Sequence, residues 1–350
     1  MRKKLLTIIT CIFLSILSMY VFHRESNQVF SRKGDFARFF PPHFITSRKV
    51  FHIENIFQPI ILGITREYIY IGTSTNPESF KEINYKTGDI TSLELNVNKD
   101  QKIAWRALRI KINSQGIYLS EGITPSILYS DLKTLRPVRL PIDSVHFSQC
   151  LPLSPSSFVL KTYDAKLQQN ILAKETLHPI TVKRMPNILE KQVDGIFCTD
   201  GELHYNRKNN HLIYVYHYRN QFIGMDTDMN ILYKGKTIDT VSHAKIKVTK
   251  IRAEGSDRFI LAAPPLIVNK KSYADGNHLF IHSNFIAKNE EITDSRHKSV
   301  IDVYSLKNQR YIYSFYIPGY DGKQIRDFAV YDNALIALYD NDIIAFGIAI

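Results

Sequence analysis

Acid, thiol and indole are what this chain has least of. Its 350 residues hold 33 Asp+Glu against 45 Lys+Arg, three cysteines and a single tryptophan. The acid deficit leaves a formal charge of +12, which favours anionic partners and a position over anionic lipid headgroups. It does not make a nucleic-acid binder, because the basic residues are scattered, as at Lys245, Lys247, Lys250, Lys270 and Lys271. Three cysteines cannot staple a chain of this length. Cys11 lies in an apolar run, and Cys150 and Cys198 stand almost one repeat apart. Whether those two are bridged depends on register, since Cα atoms more than about 7 Å apart cannot be linked; two small buried thiols are the simpler reading. A phosphate-cradling glycine loop, a zinc-type His/Cys cluster and a nucleophile triad are also missing, so no cofactor and no metal is expected.

Two stretches approach a metal motif and fall short. Asp226-Thr227-Asp228-Met229-Asn230 alternates oxygen ligands like the start of a calcium loop but lacks the glycine and the distal glutamate. It falls where a hairpin turn is needed. His204, His211 and His217 crowd one repeat, yet six residues of strand put His211 and His217 about 20 Å apart, too far to share an ion.

Long apolar runs are equally scarce. One of them, Leu5–Phe22, has the length of a bilayer-crossing helix and follows Arg2, Lys3 and Lys4. A basic leader keeps that end in the cytoplasm and sends the rest across. The expectation is an uncleaved anchor over residues 1–23 in the cytoplasmic (inner) membrane, a single pass with the remainder on the periplasmic side. A cleaved signal peptide with Leu5–Leu17 as its apolar core fits less well, because Ile16 and Ser18 do not make a small-x-small cleavage site. Residues 24–48 read as a tether. It is polar at Arg24, Glu25, Asn27, Arg32 and Lys33, then aromatic at Phe36, Phe39, Phe40 and Phe44 around Pro41-Pro42. Four phenylalanines suit packing on the outside of a domain better than a free linker.

What the chain has in quantity is tyrosine and phenylalanine, 20 of each, and short strand patterns closed by turns. From residue 49 to 350 these patterns return about every 45 to 50 residues, with four strands per unit, as the blades of a β-propeller do. The first strands of the units are expected at Ile60–Ile64, Ala107–Ile112, Phe147–Leu151, Leu203–Asn206, Leu266–Asn269 and Ile325–Tyr331. Extra material at Ala244–Ala262 reads as an inserted hairpin. The sixth unit has three strands, so a strand at about 50–54, Val50–Glu54, is expected to complete it and remove the open edge. The fold class is therefore all-β, a six-bladed β-propeller with one N-terminal transmembrane helix.

Six segments carry a resemblance to a known group. They are Phe39-Phe40-Pro41-Pro42-His43, Val193-Asp194-Gly195-Ile196-Phe197, Leu212-Ile213-Tyr214-Val215-Tyr216 with Arg219-Asn220-Gln221-Phe222, Gly235-Lys236-Thr237-Ile238-Asp239-Thr240, Ala263-Pro264-Pro265-Leu266 and Ile301-Asp302-Val303-Tyr304. From Phe36 onward the chain resembles the six-bladed, NHL- and TolB-like propellers of Bacteroidetes, and within them an uncharacterised group of single-pass membrane propeller proteins. The resemblance implies the fold and no established activity. Genes of this group lie near small membrane proteins of the DoxX or methylamine-utilisation type, which implies at most an accessory role in a membrane redox system.

Propeller sites gather around the mouth of the central channel. Positions just before or within the first strands offer Trp105, Arg106, His146, Asp194, Arg326 and Asp327. Two carboxylates among cations make a poor glycosidase pair or metal site. Arg106, His146 and Arg326 come from three units and suit a carboxylate, a phosphate or a partner's acidic residues; the plainer alternative is that they form structural ion pairs. The functional expectation is a membrane-anchored, extracytoplasmic, non-catalytic protein- or anion-binding scaffold whose partner is a membrane or periplasmic protein. The alternative is a propeller hydrolase or lyase using the channel mouth, or an accessory subunit of a membrane redox system.

Overall fold

Runs such as Tyr68-Ile69-Tyr70-Ile71 and Ile117-Tyr118-Leu119 have no polar side to turn to water, and Ile69, Ile71, Ile117 and Leu119 are fully buried. A sheet covered on both faces needs such strands. The computed structural model describes residues 2–30, 33–54, 56–97, 103–253, 256–291 and 297–350, and the side chains of 2, 3, 5, 7, 23–30, 253 and 256–258 are outside that description. Arg2, Lys3, Arg24, Glu25 and Asn27 thus lie outside the described side chains, and Arg32 outside the described residues altogether. In it the runs form six four-stranded antiparallel sheets, the blades of a propeller.

Blade 1 is Ile60–Ile64, Tyr68–Gly72, Ser79–Asn84 and Ile90–Glu94. Blade 2 is Arg109–Asn113, Gly116–Glu121, Ser126–Ser130 and Val138–Arg139. Blade 3 is Gln149–Ser154, Ser157–Asp164, Gln169–Leu177 and Ile180–Met185. Blade 4 is Gly201–Asn206, His211–Tyr216, Gln221–Met225 and Ile231–Lys236. Blade 5 is Asn269–Asp275, His278–Ser283, Lys298–Ser305 and Tyr311–Pro318. Blade 6 is Asp327–Tyr331, Ala334–Leu338 and Asp342–Ile348, completed by Ile45–His52. Between blades 4 and 5, Val248–Ala253 and Ser256–Leu261 form a separate two-stranded hairpin.

First strands of blades 3, 4, 5, 6, 1 and 2 touch in that order around a central channel. The chain then steps outward through antiparallel neighbours, so each end of the ring has a fixed content. The upper face, where first strands begin, carries the connections between blades and the loops from second to third strands. The lower face carries the turns from first to second and from third to fourth strands.

The closing strand pairs antiparallel with Asp342–Ile348, Ile45 opposite Ile348 and Phe51 opposite Ile343. It starts earlier than the apolar pattern indicates, because Thr46-Ser47-Arg48-Lys49 is an exposed outer stretch with nothing apolar to mark it. The inner strand of blade 5 differs more, running Asn269–Asp275 where Leu266–Asn269 was expected. Lys270-Lys271-Ser272 reads as loop from its polarity, yet an inner strand has one side on a wet channel and carries polar residues there.

Before the closing strand, residues 33–44 strap blade 5 from the upper to the lower face. Gly34 N–H donates to the Ile286 carbonyl at 2.7 Å, the Phe36 carbonyl accepts from Lys288 N–H at 2.8 Å, and the Phe39 carbonyl accepts from Ser314 N–H at 2.7 Å. Phe40 stacks on Tyr316 with ring centroids 4.5 Å apart, and Phe44 on Phe315 at 4.2 Å. Arg38 is the anchor. Its side chain is wholly buried and donates to both Asp302 oxygens at 2.6 and 2.9 Å, to the Phe285 carbonyl at 2.9 Å and to Glu290. Burial opposes its charge, and the two carboxylates outweigh that and hold the guanidinium ionised. The carboxylates have further donors: Ser314 Oγ bonds Asp302 at 2.6 Å, and Tyr316 Oη bonds Glu290 at 2.6 Å.

Ahead of the strap, Arg2–Phe30 forms a helix of 29 residues, so the chain is still helical where the tether was expected to begin. Its described apolar side chains, Leu6 and Phe13 among them, are exposed. Among the described residues no helix is long and apolar enough to cross a membrane.

Removing one member of a buried charge cluster leaves its partners buried and unpaired, which costs about 3 to 5 kcal/mol. Arg38→Met is expected to lower unfolding free energy in urea by that amount, and adding Glu290→Gln and Asp302→Asn to recover part of it. A single mutant as stable as the parent would show that the strap holds by its aromatic contacts alone.

Candidate site in the central channel

Alternation along a strand sends every second side chain of an inner strand into the channel. Lys111 of blade 2, Glu202 and His204 of blade 4, Lys271 and Tyr273 of blade 5 and Asp327 of blade 6 line one cavity of about 1060 Å³. The cavity reaches the lower face, where turn residues Arg66, Glu67, Ser114, Lys133, Arg207 and Lys208 surround it. Tyr68, Tyr70, Tyr205 and Tyr331 add aromatic wall.

Its middle is a connected polar network. Lys271 Nζ pairs with Glu202 Oε1 at 3.0 Å, and Glu202 Oε2 accepts from Ser272 N–H at 2.6 Å and Ser272 Oγ at 2.9 Å. His204 Nε2 lies 2.7 Å from Ser272 Oγ. The hydroxyl proton is committed to Glu202, so the histidine donates and the Nε2–H tautomer is fixed. Burial, reinforced by Lys111 and Lys271 and only partly offset by Glu202, pushes His204 down to about 4. Burial works to raise Glu202, but Lys271, His204 and His217 together hold it below the usual carboxylate range. Asp327 goes the other way: burial, with Glu202 beside it, lifts it to about 6 against the pull of Lys271.

Besides Arg66 and Lys133, exposed at the rim, two cations of this cavity have no counter-ion among the described residues. Lys111 is lowered by burial although water reaches it through the channel. Arg207 sits over the ring of Tyr205, 5.0 Å from its centroid, and its Nη2 is buried with no hydrogen-bond partner. Lys208, next to it, is already satisfied by Asp275 at 2.7 Å and by Asp332.

Of the six residues expected at the channel mouth, Asp327 alone lines this cavity, together with His204 of the histidine group weighed for metal binding. Trp105 and Arg106 lie on a short 3₁₀ turn above blade 2, where Trp105 packs against the cluster of Leu62, Leu108 and Ile110 and Arg106 is exposed. His146 and Arg326 are also exposed on the upper side, just before the first strands of blades 3 and 6. Asp194 is buried as a loop anchor, its oxygens accepting from Ile196 N–H at 2.7 Å, Phe197 N–H at 2.6 Å and Cys198 N–H at 3.2 Å. Lys111, Glu202, Arg207 and Lys271 were missed. A signal exists for Glu202: it stands two apart from His204 and Asn206, on a strand whose other side has Leu203 and Tyr205; Lys271 has no such signal, because Ser272 makes its strand polar on both sides.

The remaining motifs resolve into structure. Asp226 Oδ1 accepts from Asp228 N–H and Asn230 N–H, both at 2.9 Å, in a hairpin turn with Met229 at φ 67°. The three cysteines are free. Burial pushes Cys150 up to about 12, and Cys198 Sγ donates to the Asp194 carbonyl. His217 Nδ1 bonds the Asn269 carbonyl at 2.9 Å and so ties blade 4 to blade 5.

No known protein-family profile matches the chain, and no curated protein matches it. Solved structures do match in fold. A protein of Bacteroides fragilis described only as a candidate exported protein aligns over 92% of this chain and 99% of its own, with TM-score 0.50 at 12% identity. A member of the DUF4221 family from Bacteroides vulgatus aligns over 91% and 99%, with TM-score 0.49 at 10% identity. At such identities the likeness is one of fold alone.

The raised Asp327 makes stability depend on pH. Its ordinary value of 3.8 moves to about 6 in the folded chain, so the folded state holds the extra proton and the carboxyl's contribution is lost as pH rises through 6. His204 acts oppositely, contributing stability above 6.5 that is lost as pH falls toward 4. Asp327→Asn keeps the neutral form at every pH. It is expected to unfold like the parent at pH 4 and to be more stable by about 1 to 2 kcal/mol at pH 8, a value reduced for channel water. Equal urea midpoints for the two chains at pH 8 would contradict the lifted carboxyl.

Proposed function

We propose that this protein is a non-catalytic propeller that takes up an anionic ligand through the lower mouth of its channel and is held outside the cytoplasm by its N-terminal helix. The observation that carries the reading is the pair of channel cations without counter-ions, Lys111 and Arg207, the second with a buried nitrogen that donates to nothing among the described residues. A buried donor left unmade costs more than a made one contributes, and a carboxylate or phosphate supplies the missing acceptor. The tyrosine wall gives such a ligand an apolar surface to lie on. The anion site proposed here is therefore deeper than Arg106, His146 and Arg326, which stay in water.

Full-length protein titrated calorimetrically with inorganic phosphate, citrate and glucuronate is expected to bind at least one of them. Each charged hydrogen bond is worth about 1.5 to 3 kcal/mol, so Arg207→Met and Lys111→Met should each weaken binding about ten- to a hundredfold. Parent-like affinity in both mutants would remove the channel from consideration.

Attachment by the helix rests on the apolar run Leu5–Phe22 and on the exposure of its described apolar side chains; the NHL- and TolB-like affiliation rests on the six segments quoted above. The Bacteroides fragilis fold neighbour, described as a candidate for export, agrees with a place outside the cytoplasm. Membranes washed in high salt are expected to retain the protein, and protease added to spheroplasts to digest the propeller. Digestion that begins only after the spheroplasts are lysed would reverse the orientation.

Asp327 gives a second reading. A carboxyl lifted to about 6 beside Lys271 is poised to donate and accept a proton near neutrality, as a propeller hydrolase or lyase requires. Turnover of the bound anion, abolished by Asp327→Asn with binding intact, would put the enzyme in place of the binder.

A further inference from the structure

We infer that the upper face of the propeller rests on an anionic lipid surface, which it grips with the hairpin between blades 4 and 5. The hairpin belongs to no blade. Val248 and Leu261 pair on one side and pack toward Cys198, Ala244 and Ile246. The other side has Thr249 opposite Ile260 with Ile251 following, and leaves Ile251 and Ile260 at 39% and 40% exposure. The stretch leading into and along it, residues 243–252, carries Lys245, Lys247, Lys250 and Arg252 and no acid, and Lys245, Lys247 and Arg252 are exposed.

The chain's own path brings this hairpin to the membrane. The strap toward the N-terminal helix leaves the ring at the upper loop of blade 5, where Lys33 bridges Ile286. Phe36 packs there against Val241 and Leu266, residues that flank the hairpin on either side in sequence. Helix and hairpin therefore depart from the same corner of the same face. Arg106 and Arg326 are exposed on the upper side of blades 2 and 6, where Asp143 and Asp321 are exposed as well. The channel cavity opens at the lower face, so a lipid-bound upper face leaves the ligand path free.

Two isoleucines framed by lysines form too small an apolar area to seat a folded protein, and they match what a basic amphipathic segment places at the headgroup boundary. Each Lys or Arg near an anionic surface strengthens binding about fivefold, an effect confined to a Debye length. The inference relies on the membrane attachment proposed above for nearness to lipid, and the hairpin's contact is separable from it.

The test is amide hydrogen exchange over residues 244–262 of the full chain in vesicles of phosphatidylcholine alone or with phosphatidylglycerol added. Slower exchange of the hairpin in the anionic vesicles alone is expected. K245Q/K247Q should speed it by about fivefold for each charge removed, and I251S/I260S should also speed it, with the blades' exchange unchanged. Equal exchange in the two vesicle types, with the protein still bound to both, overturns the proposal. Cross-links from position 251 to a protein rather than to lipid in native membranes do so too. If the chain leaves phosphatidylcholine vesicles in high salt, the helix reading fails. The hairpin is then read from salt-sensitive flotation with the anionic vesicles, which K245Q/K247Q must abolish.

Discussion

One buried charge cluster decides where the chain's first propeller residues lie. Arg38 meets Asp302 and Glu290 in the wall of blade 5, and that contact commits the strap to a path from which the next segment must run along blade 6. Blade 6 has three strands of its own, so without Ile45–His52 the apolar strand Asp342–Ile348 would be its bare outer edge. Such clusters are seldom net stabilising against an apolar equivalent. A cation that must find two carboxylates does, however, define one position of the strap, where phenylalanines alone would tolerate several.

The inner surface obeys a different rule. Outside the Arg38 cluster, buried charge elsewhere in the ring comes one group at a time, as at Glu121, Glu175, Arg219 and Asp239, whereas the channel concentrates Lys111, Glu202, His204, Lys271 and Asp327 within reach of one another. Their protonation states are pulled apart: Glu202 is held ionised and His204 neutral, while Asp327 has its midpoint lifted to about 6. Neighbouring groups driven to different states by one environment are what a binding or proton-handling site needs. Loop anchors such as Asp194 and Glu121, spent on backbone N–H groups, are not.

The sequence carries the architecture more plainly than the site. Strands sandwiched between blades must be apolar on both sides, so Ile117–Leu119 or Leu212–Tyr216 announce themselves, as does the hairpin inserted before blade 5. Strands at the rim and the axis have one side in water. Thr46–Lys49 on the outermost edge and Lys270–Ser272 at the centre therefore read as loop, and residues on the misread strands were lost with them. The histidines of blade 4 drew attention for metal chemistry; their spacing instead places His204 in the channel and His217 on the seam with blade 5. Arg106, His146 and Arg326 were sought at the mouth nearest the strand starts. The cavity opens at the opposite end, because the inner strands deliver their turn residues there.

Closing the ring with Ile45–His52 has a consequence for biosynthesis. The ribosome makes this strand before any blade, yet its partner Asp342–Ile348 emerges near the far end of the sequence. Five complete sheets can assemble meanwhile, each from neighbouring residues, while the first strand waits with its backbone groups unpaired. Bringing those two ends together is the most distant contact the fold requires, and distant contacts are slow to form. A nascent chain stalled anywhere before Asp342 keeps both sides of this strand unmated, where the finished ring leaves it only one.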